Sequence, residues 1–215
     1  MKRFLPILLG LLLAAPIFAA TDTNAPAEDT EVKYTKDIEN RTQNILTALA
    51  LPDTNKVASV HDTIMAHWRA LRAWHDENDA KLKKNKDTNE VATINASLKT
   101  LHNEFLAKLS KDLTPQQVDT VKDKLTYGVV QVTYNAYLGE YPDLTDVEKK
   151  QIMAWLIEAR ETSMDQGSSN EKHAVFGKYK GRINNYLSKE GYDAKTGKKK
   201  TDQSAGLSNT NQPAK

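Results

Sequence analysis

Residues 54–109 read TNKVASVHDTIMAHWRALRAWHDENDAKLKKNKDTNEVATINASLKTLHNEFLAKL, and the spacing of their apolar positions decides the fold class. Val57, Val60, Ile64, Trp68 (or His67), Leu71 and His75 recur about every 3.5 residues, which lines them up on one stripe of a helix. Val91, Ile94, Leu98, Leu101, Phe105 and Leu109 repeat the pattern after a charged run, KLKKNKDTNE at 81–90. Two long striped helices with a short polar connection predict an antiparallel αα-hairpin, with Ile64, Trp68, Leu101 and Phe105 in one core.

Upstream, Pro52-Asp53-Thr54 breaks the pattern and supplies a cap for the hairpin's first helix. A further helix is predicted over 35–49, with Ile38, Ile45, Leu46 and Leu49 on one side. Residues 21–31 are polar and lack periodicity, so they read as a flexible lead. Residues 1–20 read as an export signal: Lys2 and Arg3, an apolar run from Phe4 to Leu13, and a small-residue cleavage site at Ala19-Ala20. That run is too short for a stable membrane anchor. The expected location is therefore the periplasm, with cleavage near Ala20.

Downstream, Thr114, Pro115 and Gln117 form a capping box with proline at the first helical position. Val118, Val121 and Leu125 continue that helix, and Thr126-Tyr127-Gly128 ends it. The text then changes to VVQVTYNAYLGEYPDLT, which crowds Tyr127, Tyr134, Tyr137 and Tyr141 together without a clean period. It reads as an ordered loop or one short helix. Thr145 and Glu148 repeat the capping box and open a helix burying Ile152, Leu156 and Ala159. Ser168 and Glu171 open the last one, over 168–192. Residues 193–215 read as a disordered basic tail. The expectation is an all-α fold: a single-domain bundle of about six helices, spanning 32–192, around the central hairpin.

The last helix has three faces. Phe176, Tyr179, Ile183, Tyr186 and Leu187 make an apolar stripe, and Lys178, Arg182, Asn185 and Lys189 a cationic one. His173, Gly177, Gly181 and Asn184 lie between them. Each interior glycine costs a helix about 1 kcal/mol against alanine, so a close-packed backbone or a ligand is expected along that third strip.

Composition narrows the chemistry. The chain has 30 Lys and Arg against 28 Asp and Glu. Removing the signal takes away two cations, and the tail from Asp193 holds a surplus of three. The remaining body is net acidic and has no electrostatic footprint for nucleic acid. Zero cysteines exclude disulfides, thiol nucleophiles and thiolate metal sites. The five histidines, at 61, 67, 75, 102 and 173, include no pair four residues apart, so neither a metal nor another cofactor is expected. No serine-nucleophile motif is present, and no catalytic residue is assigned. Aromatic rings bordered by hydroxyl, amide and cationic groups are suited to stacking on sugars. The candidate ligand-binding residues are Tyr127, Tyr134, His173, Lys178, Arg182 and Asn184.

Two resemblances add to this reading. The Leu-Thr-x-x-Gln motif at 113–117, with its variant ending at Glu148, resembles the repeat of the Spy- and CpxP-type periplasmic stress chaperones, which implies a helical, client-binding protein. The strings LTPQQVDTVKDKLTYG, VTYNAYL, AWLIEARE and GSSNEKHAVFGKYKGRINNYLSKEGYD, in that order, resemble an exported bacterial family of unknown function that carries a sugar-binding label in the setting of complex-glycan utilisation. That resemblance implies an all-α fold, a periplasmic setting and a carbohydrate or glycan fragment as partner. The leading expectation is a periplasmic carbohydrate-binding accessory protein. A client-binding chaperone and a glycan-active enzyme are the alternatives.

Overall fold

The computed structural model describes residues 25–200; residues 1–20, read above as an export signal, residues 21–24 and those beyond 200 lie outside the described residues. Seven helices follow in chain order: α1 (Ala25–Leu49), α2 (Thr54–Lys84), α3 (Thr88–Leu109), α4 (Pro115–Leu125), α5 (Val129–Glu140), α6 (Asp146–Met164) and α7 (Ser169–Lys189). Among the described residues there is no strand, only an isolated antiparallel bridge between Tyr192 and Lys199. The chain divides into two compact units. The first ends at Asp37 and, as far as it is described, is the leading part of α1. The second, from Ile38 onward, is an all-α domain.

Helix boundaries follow local chemistry. Asp53 accepts from the amides of Asn55 and Lys56 at the start of α2, and Asp87 accepts from Asn89 and Glu90 at the start of α3. Thr114 and Thr145 close full capping boxes with Gln117 and Glu148. Each such cap satisfies helix-end amides that would otherwise lack partners. Ser168 caps α7 through the Glu171 amide, while the Glu171 carboxylate accepts from the Ser168 hydroxyl.

Two apolar cores hold the second unit together. In the first, Ile45 and Leu49 of α1 meet Val60 and Ile64 of α2, Phe105 and Leu109 of α3, and Val121 and Leu125 of α4. Trp68 packs partly buried against this core, as the hairpin predicts, whereas Leu101 is only half-buried. In the second, Val130 and Tyr137 of α5 pack with Ile152 and Leu156 of α6 and with Phe176, Ile183 and Leu187 of α7. Helix α6 serves both, because Met164 at its far end belongs to the first core. Each fully buried side chain of this size contributes about 1.5–3 kcal/mol.

Three boundaries differ from the sequence expectation. The Tyr-rich segment is α5, so there are seven helices rather than six. Its inward residues, Val130, Thr133, Tyr134, Tyr137 and Leu138, do follow helical spacing, but the exposed Val132 and the buried Thr133 hide that stripe in the sequence. No side chain caps its start at Gly128, so the usual helix-start signal is missing. Helix α1 begins at Ala25, inside the stretch read as a lead. That stretch needs no apolar stripe, since its Ala and Glu residues favour helix by intrinsic propensity.

Residues 193–200 of the stretch read as a tail are held by backbone and side-chain hydrogen bonds. Asp193 accepts from the amides of Lys195 and Thr196, and Lys200 donates from its backbone to Gly191. Gly197 lies at φ +67° against the Glu140 carbonyl, where a β-carbon would clash. Glu148, buried in the first turn of α6, accepts from the Tyr192 hydroxyl at 2.9 Å and from Lys199 at 3.2 Å. Lysines alone do not signal such a fastening.

Candidate functional site

Helix α4 ends at Leu125, and the chain reverses into α5 through two successive left-handed residues, Tyr127 at φ +60° and Gly128 at φ +66°. Glycine adopts that conformation without cost, but a tyrosine there carries strain of about 1–3 kcal/mol. The neighbouring bonds hold the turn: the Gly128 amide donates to the Asp123 carbonyl at 2.8 Å, and the buried Thr126 hydroxyl donates to the Lys122 carbonyl at 2.9 Å. This geometry pushes the Tyr127 ring outward, leaving it 44 % exposed. The ring stacks on His173 of α7 with centroids 5.5 Å apart and planes 15° apart. Its hydroxyl accepts from Arg41 Nη1 of α1 at 3.3 Å.

Tyr127 stands at the edge of a cleft of about 720 Å³ between α1, α2 and the α4–α5 reversal. Trp68 supplies a second aromatic wall, and Ile45 and Leu125 supply apolar floor. Arg41, Asn44, Asp123 and Lys124 supply the polar groups. The Arg41 guanidinium and the Lys172 ammonium each lie 5.7 Å from the Trp68 ring centroid. Lys172 is 3 % exposed, and its Nζ donates to the Ser163 and Met164 carbonyls at 3.2 and 2.9 Å. It thereby caps the end of α6, while burial pushes its amine down to about 8. Asp123 is fixed by Arg160 Nη1 at 2.7 Å, and Arg160 Nη2 reaches Asp119 at 2.6 Å.

The sequence candidates separate into groups. Tyr127 lines this cleft, and His173 stacks on its ring without lining the cleft itself. Tyr134 lies instead in a shallower groove of about 470 Å³ with Met153, Ala154 and Ile157 of α6. Asn184 accepts from the Tyr137 hydroxyl at 2.7 Å, so its amide oxygen anchors α5 to α7. Arg182 pairs with Glu158 at 3.4 Å and lies 4.6 Å from the Trp155 ring. Lys178 is exposed on α7. Gly177 and Gly181 are exposed as well, and a β-carbon on either would meet no atom within 4 Å. Close packing is therefore not the reason for those glycines.

A third groove, of about 400 Å³, runs between α3 and α6 and contains His102, Glu161 and Asp165. His102 Nδ1 lies 3.0 Å from Asp165, and its Nε2 lies 3.7 Å from Glu161. The Asp165 bond holds the His102 pKa above the usual imidazole range, against the effect of burial. Glu161 also accepts from Lys122 at 2.8 Å, and His75 Nε2 lies 2.7 Å from the Asp165 carbonyl. This network ties α2, α3, α4 and α6 together with every carboxylate already engaged. Among the described residues, no group of three or more His, Asp or Glu is placed to hold a metal ion, and no helix is long and apolar enough to cross a membrane.

Sequence reasoning missed Arg41, Asn44 and Lys124. Each sits on a helix surface where a polar residue carries no signal of its own. Comparison with known proteins finds one family, described as a protein of unknown function (DUF3826), that matches residues 35–205. No curated protein matches the chain.

Proposed function

The chain belongs to that family, whose description assigns no activity, and we propose that it binds a carbohydrate in the Tyr127–Trp68 cleft as a periplasmic accessory to glycan breakdown. The observation that carries the reading is Tyr127, a solvent-facing aromatic held in a strained left-handed conformation at the edge of a cleft. Strain persists where surrounding structure enforces it, and such positions cluster at binding sites. The cleft volume falls within the range of small-molecule sites. Two aromatic rings offer apolar faces to a pyranose ring, and Asn44, Arg41 and Lys124 offer hydrogen bonds to its hydroxyls. The client-binding alternative rests on the α5–α6 groove with its partly exposed Ile157, which lacks any comparable strained feature.

The test is a glycan-array screen of the purified chain followed by titration of the best hit against Tyr127→Gly. Glycine removes the ring and relieves the left-handed strain together, so stability should stay within about 1 kcal/mol of the parent. Affinity should fall at least tenfold, equivalent to about 1.4 kcal/mol. An array without hits, or a hit that binds the variant unchanged, would overturn the reading.

A further inference from the structure

We infer that His173 is a positioning residue for the carbohydrate site, backing the Tyr127 ring and holding it ready to stack on a sugar; the inference rests on the carbohydrate reading above. The left-handed backbone at φ +60° fixes where Tyr127 leaves the chain, but not the torsions of its side chain. A ring 44 % exposed and otherwise unrestrained would have to be ordered by each ligand it met, and ordering a side chain at a binding surface costs affinity. The His173 imidazole lies nearly parallel to this ring, with centroids 5.5 Å apart and planes 15° apart. Tyr127 lines the cleft and His173 does not. The imidazole therefore covers the ring from outside the cleft and leaves its opposite face for a ligand.

The support is itself anchored. His173 stands near the start of α7, directly after Lys172. Lys172 is buried, and its Nζ donates to the Ser163 and Met164 carbonyls at the end of α6. The Ser163 hydroxyl donates in turn to the Lys172 carbonyl at 3.3 Å. These bonds pin the start of α7 to the end of α6, so the imidazole is carried on a fixed helix rather than on a loop. At the tip of the Tyr127 ring, Arg41 Nη1 donates to the hydroxyl at 3.3 Å. Helices α1 and α7 thus hold the ring at its tip and on one face. His173 is exposed, so its side chain can be exchanged without opening a core. Another aromatic ring in its place would keep the stack, whereas alanine would remove it and leave the cleft lining as it is.

Full-chain variants His173→Ala and His173→Phe test this with two readouts. The first is the nuclear magnetic resonance of the Tyr127 ring in protein carrying isotope-labelled tyrosine, assigned by its absence in Tyr127→Phe. A stacked aromatic neighbour displaces such resonances upfield, so they should move downfield in His173→Ala and stay upfield in His173→Phe. The second is calorimetric titration with cellotriose, xylotriose and galactotriose, whose pyranose rings present apolar C–H faces. At least one probe should bind the parent. It should bind His173→Ala about threefold or more weakly, and His173→Phe within about twofold of the parent. Where a probe binds the parent, an unmoved Tyr127 resonance or an unchanged affinity in His173→Ala overturns the positioning role and leaves the carbohydrate reading standing. If His173→Phe binds as weakly as His173→Ala, the imidazole touches the sugar itself and the positioning role fails. If no probe binds the parent, both readings fall.

Discussion

Tyr127 and Ala50 are the non-glycine residues of the described chain with a left-handed backbone, and they make a controlled pair. Ala50 follows α1 at φ +47°, its amide donating to the Leu46 carbonyl at 3.1 Å, a helix-ending position that glycine normally fills. Its methyl side chain has no ring to present. Ala50→Gly should therefore raise stability by about 1 kcal/mol, read as a higher urea midpoint with an unchanged slope. An unchanged or lower midpoint would show that left-handed strain in this chain is too small to carry meaning at Tyr127 either. At this scale the sequence is partly legible. Tyr127 and His173 stand out because an aromatic beside a helix-ending Thr-x-Gly and a histidine on a glycine-bearing face are unusual. Arg41 does not, because what marks it is a hydroxyl 86 residues further along the chain.

Elements with both a cap and a stripe are read correctly, and those lacking one are not. Helices α2, α3, α4 and α6 have both, and their starts coincide with Asp53, Asp87, Thr114 and Thr145. Helix α5 follows a glycine with no side-chain cap, and its stripe is hidden by an exposed Val132 and a buried Thr133, so neither signal stands out in the sequence. Helix α7 shows the converse, where a true stripe accompanies a misleading one. Phe176, Ile183 and Leu187 are buried as expected, but the Gly177–Gly181 strip opposes no packed neighbour. A β-carbon added there meets nothing, so the helix should gain its intrinsic preference in full. Gly177→Ala and Gly181→Ala should each stabilise the protein by about 1 kcal/mol, measured as additive increases in the midpoint of thermal or urea unfolding. A loss in either variant would mean that a partner or ligand ordered in solution occupies that strip.

On the scale of the whole molecule, the histidines of the hairpin act in opposite directions as pH changes. His61 and His102 have raised pKa values, His61 chiefly through Asp62 and His102 chiefly through Asp165. Their contribution to stability is fully present below the unfolded value of 6.5 and is lost as pH rises through the raised folded values. His67 behaves oppositely. It is 5 % exposed, stacked on Phe105 at 3.8 Å with planes 6° apart, and neither ring nitrogen has a hydrogen-bond partner among the described residues. Burial, reinforced by Lys172, His102 and Lys108, pushes its pKa down to about 3. Between 6.5 and 3 the unfolded chain takes up this proton and the folded chain does not. Stability therefore falls with pH by about 1.4 kcal/mol per unit from this residue alone. At the top of that window the unfolded chain is still taking up protons at His61 and His102, which offsets part of the slope there, but both residues are shared by parent and variant and cancel in the comparison. Phenylalanine at position 67 keeps the ring volume and the stack on Phe105 while removing the titration. From pH 6.5 to pH 5, His67→Phe should lose about 2 kcal/mol less stability than the parent, measured by urea unfolding at both values. Equal losses would show that His67 is not the source of the acid sensitivity.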